Sequence, residues 1–344
     1  MKKRLPSLKQ APRGFSRLEV LLVSSVIFLN VSICLPFVQN AREAARKNQC
    51  KHNLKQVGLA VFNYVDVYKC YPVGFDVSPE GNYLGWGWNL KILPYMDAAD
   101  QYNKIEPHLA EGIHGLQDTP EFNRRLTTLM CPSETEPATV PHAMVVTAKV
   151  VDWIVSEGTE DWQSRLPRSS YFGNAGYLQR EVGGIQYNAA GIPTSIAPLV
   201  NAGSLGHFGT IRSADHRYCD QKLFGGFFGQ NSHVVLRDVI DGTSNTIMIG
   251  ERYSPADSSA GSVGHGSWIG VPDCTRAQGL AMALADASLR INVGMPLREQ
   301  TTGFGSVHHG GAFFVIGDGH VRFINQTINL EVFRHLSVID DGNR

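Results

Sequence analysis

The sequence predicts an α+β protein in which one long N-terminal helix precedes a β-rich head. Two observations lead to this fold class. Residues 20–41 contain no Asp, Glu, Lys or Arg, and an apolar run of that length favours a single helix over short strands. Gly accounts for 35 and Pro for 17 of the 344 residues, a composition that favours many short strands joined by turns over a helical bundle.

The first 41 residues have the pattern of a basic leader followed by a membrane-spanning helix. Residues 1–14 carry five basic side chains and no acid. At about 1.5 Å per residue, a helix over residues 20–41 matches the roughly 30 Å hydrocarbon layer of a bilayer. Polar side chains within the run are expected to bond to their own helix or to a neighbouring one. A buried helix of a soluble protein would explain neither the length nor the basic leader.

Two other N-terminal signals fit this segment less well. A cleaved secretory signal has a shorter apolar stretch and small residues before its cleavage site, whereas residues 37–40 read Phe-Val-Gln-Asn. A lipoprotein signal needs a small residue before the modified cysteine, and Ile33 precedes Cys34. Basic residues flank the apolar run on both sides, so charge alone leaves the orientation of the helix open.

The helix is expected to continue beyond the membrane as an amphipathic rod. Apolar side chains recur at a spacing of three to four residues between residues 41 and 68, which places them on one helix face. Tyr71 should end the helix, because Pro72 disfavours a helical backbone at the residue before it. The apolar positions are Ala41, Ala45, Leu54, Val57, Val61, Tyr64, Val65 and Tyr68.

Short apolar segments predict the strands of the head. The last two of them flank residues 317–319, where Asp318 and Gly319 are typical of a two-residue hairpin turn because Gly accepts positive φ. The predicted strands are residues 226–228, 246–250, 312–316 and 320–324. Loops or decorations of the head are expected at residues 135–168, 178–222 and 253–300.

The charge balance excludes two broad classes of protein. Lys and Arg total 31, Asp and Glu also total 31, and charged residues make up 18% of the chain, against about 25% in an average soluble protein. A wholly disordered chain and a nucleic-acid binder driven by bulk charge are therefore both disfavoured. We expect no nucleic-acid partner.

The residues before the apolar run carry a processing signal. Residues 14–19 read Gly-Phe-Ser-Arg-Leu-Glu, and this segment resembles the class III signal of type IV prepilins and type II secretion pseudopilins. The resemblance implies that a prepilin peptidase cuts after Gly14 and methylates the new amino group of Phe15. Glu19 is then the membrane acid of such subunits, and it should seek the α-amine of a neighbouring subunit because an unpaired carboxylate is costly in hydrocarbon. Arg17 departs from the family's pattern, which has an apolar residue there.

Further motifs narrow the resemblance to one family. In order along the chain they resemble DUF1559, a family of prepilin-type proteins of unknown function. The last motif is H-X9-DG, in which nine residues separate His308 from Asp318 and Gly319. The earlier motifs lie at residues 36–46, 49–60, 71–74, 131–134, 170–174 and 241–252.

The resemblance implies a pilin-like fold, in which a long N-terminal transmembrane and amphipathic helix packs on an antiparallel sheet with large loop insertions. Residues 1–14 are then the leader and residues 15–41 the transmembrane helix. Residues 42–70 continue this helix outside the membrane, and residues 71–344 form the head.

The implied role is that of a structural or assembly subunit and not of an enzyme. The chain would cross the inner (cytoplasmic) membrane once, with its head in the periplasm or at the cell surface, in a type II secretion or type IV pilus-like system. Its expected partners are the prepilin peptidase, other pilin-like subunits and the membrane itself. An anchored module that binds a solute, a glycan or a partner protein is the alternative.

Cysteine usage fits an oxidising compartment. Cys34 lies in the apolar run, and the remaining cysteines are odd in number with no C-x-x-C spacing. Cys50 and Cys131 both lie inside family-like motifs, and a bridge between them would tie the helix to the head, so this pair is the preferred disulfide. Free buried thiols are the alternative. The cysteines after the apolar run are Cys50, Cys70, Cys131, Cys219 and Cys274.

Polar residues of the C-terminal motifs are candidate metal ligands. His308, Asp318 and His320 could bind a metal, joined by Asp241 and Glu251 if their strands were adjacent. Turn chemistry explains the same residues more simply, because the Asp241 segment reads as a turn bonded to its own backbone and lacks the spacing of a calcium loop. Nucleophile-elbow and phosphate-loop motifs are also lacking. We therefore expect no metal, no cofactor and no catalytic residue.

Tryptophans are the third candidate feature. An exposed group of indoles would offer a stacking surface for sugars or partner proteins and would favour the binding module. Buried indoles would instead belong to the core and would favour the structural role. The five residues are Trp86, Trp88, Trp153, Trp162 and Trp268.

Overall fold

The computed structural model describes most of the chain. By its internal contacts the chain divides into two compact units, Met1–Arg46 and Lys47–Arg344. The leader, Phe15, Trp153, Trp162, Cys219, Cys274 and most of the three predicted loop segments lie outside the described residues. The described residues are 17–77, 83–113, 125–134, 139–141, 165–176, 225–253, 266–271, 282–292 and 303–340.

The described part of the first unit is the beginning of helix α1, which runs Arg17–Tyr68. Its large apolar side chains between Leu18 and Val38 are exposed. The hydroxyls of Ser24 and Ser32 donate to carbonyl groups of their own helix, at 3.0 and 2.8 Å, so these polar side chains add no unpaired donor. By length and composition alone, α1 is able to cross a membrane.

In the second unit, α1 contributes one buried face to the head. Leu54, Val57 and Val61 of the predicted apolar face are fully buried, whereas Tyr68 is 57% exposed. The helix ends at Tyr68, and Lys69 follows with a φ of 61°, so the chain leaves the helix before it reaches the proline. The buried residues of α1 are Cys50, Asn53, Leu54, Val57, Gly58, Ala60 and Val61.

A five-stranded sheet forms the centre of the second unit. Its strand order is β7-β5-β6-β8-β9, and three of its four pairings are antiparallel. The fourth pairing, between β5 and β7, is parallel, which corrects the wholly antiparallel sheet that we predicted. Parallel neighbours require a long crossover connection, and more than 100 residues separate β5 from β7. The strands are β5 Tyr171–Asn174, β6 Ile247–Glu251, β7 Leu284–Ala285, β8 Gly311–Ile316 and β9 Val321–Asn325.

Smaller elements surround this sheet. In the part of the head that the structure describes, β1 pairs with β2 and β3 pairs with β4, each pair forming a two-stranded sheet. These strands are β1 Phe75–Val77, β2 Tyr83–Gly87, β3 Thr139–Pro141 and β4 Arg165–Pro167. The short helices among the described residues are α2 Trp88–Ile92, α3 Ala99–Ile105 and α4 Leu330–His335. Short 3-10 helices of one or two turns cover Leu93–Tyr95, Glu106–Glu111, Thr127–Leu129 and Leu236–Asp238.

Three of the four predicted strands agree with β6, β8 and β9 to within one residue. The strand predicted at residues 226–228 is wrong. The segment crosses the end of β5, where its amides donate to the carbonyls of Asn174 and Ala175 at 3.1 and 3.2 Å, but it bends there and forms no ladder.

Side chains of the sheet alternate between two apolar cores. Tyr171 and Val315 belong to the core that includes the buried face of α1. Their neighbours Phe172 and Phe314 point into a second core, which includes Phe333 of α4. The period of two along each strand therefore places a helix on either face of the sheet.

Between β8 and β9, Ile316 and His320 pair and close a three-residue loop, residues 317–319. The Ile316 amide donates to the carbonyl of His320 at 2.9 Å, and the Gly319 amide donates to the carbonyl of Ile316 at 2.7 Å. Gly319 has a φ of 83°, as the last position of such a loop requires. The loop is one residue longer than the two-residue turn that we predicted.

Candidate functional site

Four buried side chains from distant parts of the chain meet beside the sheet. Cys50 lies on α1, Cys131 follows a 3-10 turn, Glu251 ends β6, and His308 precedes β8. One sulfur, nitrogen or oxygen atom of each lies within 4.8 Å of the others. We call Cys50, Cys131, Glu251 and His308 the buried cluster.

A disulfide joins the two cysteines of the cluster. The Cα atoms of Cys50 and Cys131 are 5.2 Å apart, across a sequence separation of 81 residues. The Cys131 amide donates to the hydroxyl of Ser170 at 3.0 Å, and the Asn53 side chain donates to the carbonyl of Met130 at 2.9 Å. The first bond ties residue 131 to the segment just before β5, and the second ties the preceding residue to α1, one turn beyond Cys50.

The carboxyl group of Glu251 is almost completely buried from solvent. One oxygen, Oε2, accepts a hydrogen bond from the Phe313 amide at 2.9 Å. The other, Oε1, has no hydrogen-bond partner among the described residues. Burial raises the pKa of Glu251 from its ordinary 4.5 to about 8, the charge of Glu134 acts in the same direction, and hydrogen bonds from Phe313 and Ser306 oppose both. The carboxyl group is therefore able to hold a proton at neutral pH.

His308 lies between the disulfide and this carboxyl group. Its Nε2 atom is 3.5 Å from Cys131 Sγ and 3.7 Å from Glu251 Oε1, and the residue is 1% exposed. The imidazole packs edge-on against Phe313, with ring centroids 5.6 Å apart. The position of this ring nitrogen, between a sulfur atom and a carboxyl oxygen, suits a metal ligand or a proton relay equally.

Polar residues in or beside the family-like motifs also lie close to the cluster. Arg168 donates to Glu134 at 2.9 Å, with both side chains buried. The Tyr171 hydroxyl donates to the carbonyl of Cys50 at 3.4 Å. Sequence reasoning missed the Glu134–Arg168 pair, although Glu134 stands in the motif at residues 131–134, because a lone charged residue gives no sign that it will be buried.

The structure separates the other metal candidates from His308. Asp318 and His320 lie together in the β8–β9 loop, where the His320 amide donates to Asp318 at 3.0 Å. Burial raises the pKa of Asp318, but hydrogen bonds from His320 and Ser244 and the charge of His320 outweigh it and leave this pKa below its ordinary value. Asp241 lies in a turn, where its backbone carbonyl accepts a hydrogen bond from the Asn245 side chain at 3.0 Å. His308 therefore meets Glu251 and two cysteines rather than these three residues.

The described tryptophans belong to the core. Trp86, Trp88 and Trp268 are each no more than 1% exposed. The indole nitrogens of Trp86 and Trp88 donate to the carbonyls of Leu109 and Ala283 at 2.9 and 3.0 Å. These three indoles form no stacking surface.

A surface groove of about 530 Å³ borders the buried cluster at His308. The Asn292 side chain donates to Gln326 at 2.9 Å and accepts from the Ser306 amide at 2.7 Å, which braces the groove wall. The lining residues are 290–292, 306–310, 326 and 327. The lining combines hydrogen-bonding groups with a larger share of apolar surface.

Comparison with known proteins identifies the family of the chain. A family model described as a protein of unknown function (DUF1559) matches residues 39–331. No curated protein matches the chain, and no solved structure matches it. The matched range covers well over half of the chain and includes all four residues of the buried cluster. The chain therefore belongs to the DUF1559 family.

Proposed function

We propose that this protein is a membrane-anchored, pseudopilin-like structural or assembly subunit whose head lies outside the cytoplasm. The observation that carries the proposal is α1, because one helix of 52 residues supplies both an exposed apolar segment of membrane-spanning length and a buried face of the head. Family membership and this helix are compatible with an anchored extracytoplasmic protein. A catalytic activity is not part of the proposal.

Processing by a prepilin peptidase is the first step of the proposed function. The peptidase would cut between Gly14 and Phe15 at the cytoplasmic face of the inner membrane and methylate the new amine. Mass spectrometry of the protein from native membranes should show N-methyl-Phe15 as the first residue. Gly14→Leu should accumulate the uncut precursor, whereas Ser16→Ala should be processed normally. An intact Met1 in the native membrane would refute the prepilin interpretation.

Subunit association is the second step of the proposed function. An unpaired carboxylate in the hydrocarbon layer is unfavourable, so Glu19 should pair with the α-amine of an adjacent processed subunit. The Glu19→Ala variant should still insert in the membrane, but it should not form the crosslinked oligomers that the wild-type protein forms. Glu43→Ala is the matched control, because Glu43 pairs with Arg46 on its own helix at 2.7 Å. If the wild-type protein forms no crosslinked oligomers, a filament or assembly role is refuted and the protein is a simple membrane anchor.

The groove beside His308 favours a second candidate function, an anchored binding module. Its size and its mixed lining of apolar and hydrogen-bonding groups suit a small molecule that has both kinds of surface, such as a monosaccharide or disaccharide. A panel of these sugars, added to the full-length protein in detergent, should raise the melting temperature in the wild type and not in a Gln326→Ala, Thr327→Ala variant. Both of these residues are exposed, so the variant should keep its fold. If no sugar changes the melting temperature, the sugar-binding function is wrong.

A further inference from the structure

The buried cluster contains the donor atoms of a transition-metal site. It brings two sulfurs, one imidazole nitrogen and one carboxylate oxygen within 4.8 Å of one another. Tetrahedral zinc sites are built from these three kinds of ligand, whereas calcium and magnesium require oxygen ligands. The chemistry of the set therefore favours a zinc-like cation.

Two of the donor spacings match those of a single tetrahedral ion, and all four donors lie within 4.8 Å of one another. Metal–ligand bonds of about 2.0–2.3 Å place tetrahedral ligand atoms roughly 3.3–3.8 Å apart. His308 Nε2 is 3.5 Å from Cys131 Sγ and 3.7 Å from Glu251 Oε1. The sulfur atoms are closer to each other because they are bonded, and reduction of this bond would let them separate.

Neighbouring groups hold the donors in place while leaving one of them available. The Phe313 amide fixes Oε2 of Glu251, and Oε1 has no hydrogen-bond partner among the described residues. On the other side, Ser170 accepts from the Cys131 amide. Such outer contacts orient the ligands of metal sites. A buried oxygen without a partner is costly in an apolar core, and a bound cation would remove that cost.

We propose that the buried cluster is a redox-controlled metal site, which binds zinc through Cys50, Cys131, Glu251 and His308 when the disulfide is reduced. A dithiol reductant transfers two electrons and two protons to the disulfide, and is itself oxidised to a disulfide. Zinc then replaces the protons of the two thiols and of the Glu251 carboxyl group, which pass to solvent. Neutral His308 supplies the fourth ligand. The proposal does not depend on processing at Gly14 or on subunit association.

The groove provides the path of entry. His308 lines the groove although its side chain is almost completely buried, so the imidazole is the wall between solvent and the sulfur atoms. A rotation of this side chain would open the cluster to the groove without a change in the sheet.

Cobalt(II) is the probe for the site, because tetrahedral cobalt with thiolate ligands absorbs in the visible and near ultraviolet. The full-length protein in detergent should have Cys34, Cys70, Cys219 and Cys274 replaced by Ser, so that the two cluster cysteines alone remain. After reduction and removal of the reductant, it should bind one cobalt ion per chain, which zinc displaces. The oxidised protein should give no such spectrum.

Variants of Glu251 and His308 distinguish the proposed four-ligand site from metal binding by the two cysteines alone. Glu251→Gln and His308→Gln should each weaken binding by at least about 10-fold to 100-fold, the loss typical even of outer contacts. His309→Gln is the matched control, because His309 is the exposed neighbour of His308, and it should bind as the parent does. Equal binding by all three variants would overturn the proposal.

The thermal stability of the reduced protein, with and without zinc, is the second test of the site. Circular dichroism should show that zinc raises the melting temperature of the reduced protein and not of a Cys50→Ser, Cys131→Ser variant. If the reduced protein unfolds without metal, zinc should restore its fold. A folded reduced protein that binds no cobalt, or an unfolded one that zinc does not restore, would overturn the proposal.

Discussion

Two glycines of the C-terminal hairpin allow a test of how the β8–β9 loop packs on α1. Gly310 and Gly319 both adopt positive φ, at 89° and 83°. A Cβ atom at Gly310 would meet nothing within 4 Å, whereas a Cβ atom at Gly319 would lie 2.5 Å from Cε2 of Phe62 on α1. The substitutions Gly310→Ala and Gly319→Ala therefore share one cost and differ in a second.

The shared cost is the left-handed backbone, about 1–2 kcal/mol for alanine. Gly310→Ala should lower the free energy of unfolding by this amount. Gly319→Ala should add the cost of forcing a methyl group into a filled space, about 1–3 kcal/mol in packed cores. Because the obstacle is the outer edge of a half-buried ring, which is able to move, we expect the lower end of that range. The two variants should differ by about 1 kcal/mol.

Urea unfolding of the full-length protein in detergent, followed by tryptophan fluorescence, measures this difference. Trp86, Trp88 and Trp268 are buried in the head, so their emission reports the unfolding of this unit. With a urea dependence of about 2–3 kcal/mol per molar, a difference of 1 kcal/mol separates the two midpoints by about 0.3–0.5 M.

Phe62→Ala completes the test as a double-mutant cycle. Combined with Gly319→Ala, it removes the obstacle, so the pair should be more stable than the sum of the two single losses predicts. Combined with Gly310→Ala, it should be additive. Equal losses for the two glycine variants, or additivity in both pairs, would refute the argument that Phe62 packs against the loop.

Three further predictions concern the head. Asp318→Asn should reduce stability at neutral pH, because the pKa of Asp318 is held below its ordinary 3.8 in the folded state. This stabilisation is present above pH 3.8 and is lost as the pH falls through the folded pKa. Acid titration of both proteins should therefore bring their unfolding midpoints together. A gap that persists in acid would contradict the assignment. Replacing Cys50 and Cys131 by Ala should lower the free energy of unfolding by roughly 3–5 kcal/mol, since the disulfide closes a loop with a separation of 81 residues. A urea midpoint equal to that of the oxidised wild type would argue against a bridge in solution. Asn174→Ala should cost about 2–4 kcal/mol, because the buried amide donates to two backbone carbonyls at 2.7 Å, while the exposed Asn245→Ala should cost well under half of that in the same assay.

Local pattern was enough to predict the helix and the C-terminal hairpin. An uninterrupted apolar run and a spacing of three to four residues define α1 without reference to any other segment. The β8–β9 hairpin likewise depends on two neighbouring runs and one Gly-containing loop. Even there, the pattern missed the length of the loop, because it does not show which backbone groups pair.

Other strands were beyond sequence reasoning. β5 has only four residues, which include a glycine and an asparagine, and β7 has two. Neither is long enough to show a period of two. Both are strands because β6 offers its edge to β5, and β5 then offers its other edge to β7, so tertiary pairing decides their conformation.

The sequence by itself determined the apolar helix, the fold class, the hairpin and the motifs that mark the family, because each of these depends on residues close together in the chain. The tertiary structure alone decided that His308 meets Glu251 and the two cysteines instead of Asp318, His320 and Asp241. His308 and Asp318 are ten positions apart and border the same strand, yet β8 carries them to opposite ends of the sheet. Cys50, Cys131 and Glu251 come from three distant segments that are brought to His308 by the packing of α1 on the sheet and by the pairing of β6 with β8. Proximity in a folded chain follows from packing and strand order, which no local spacing of residues records.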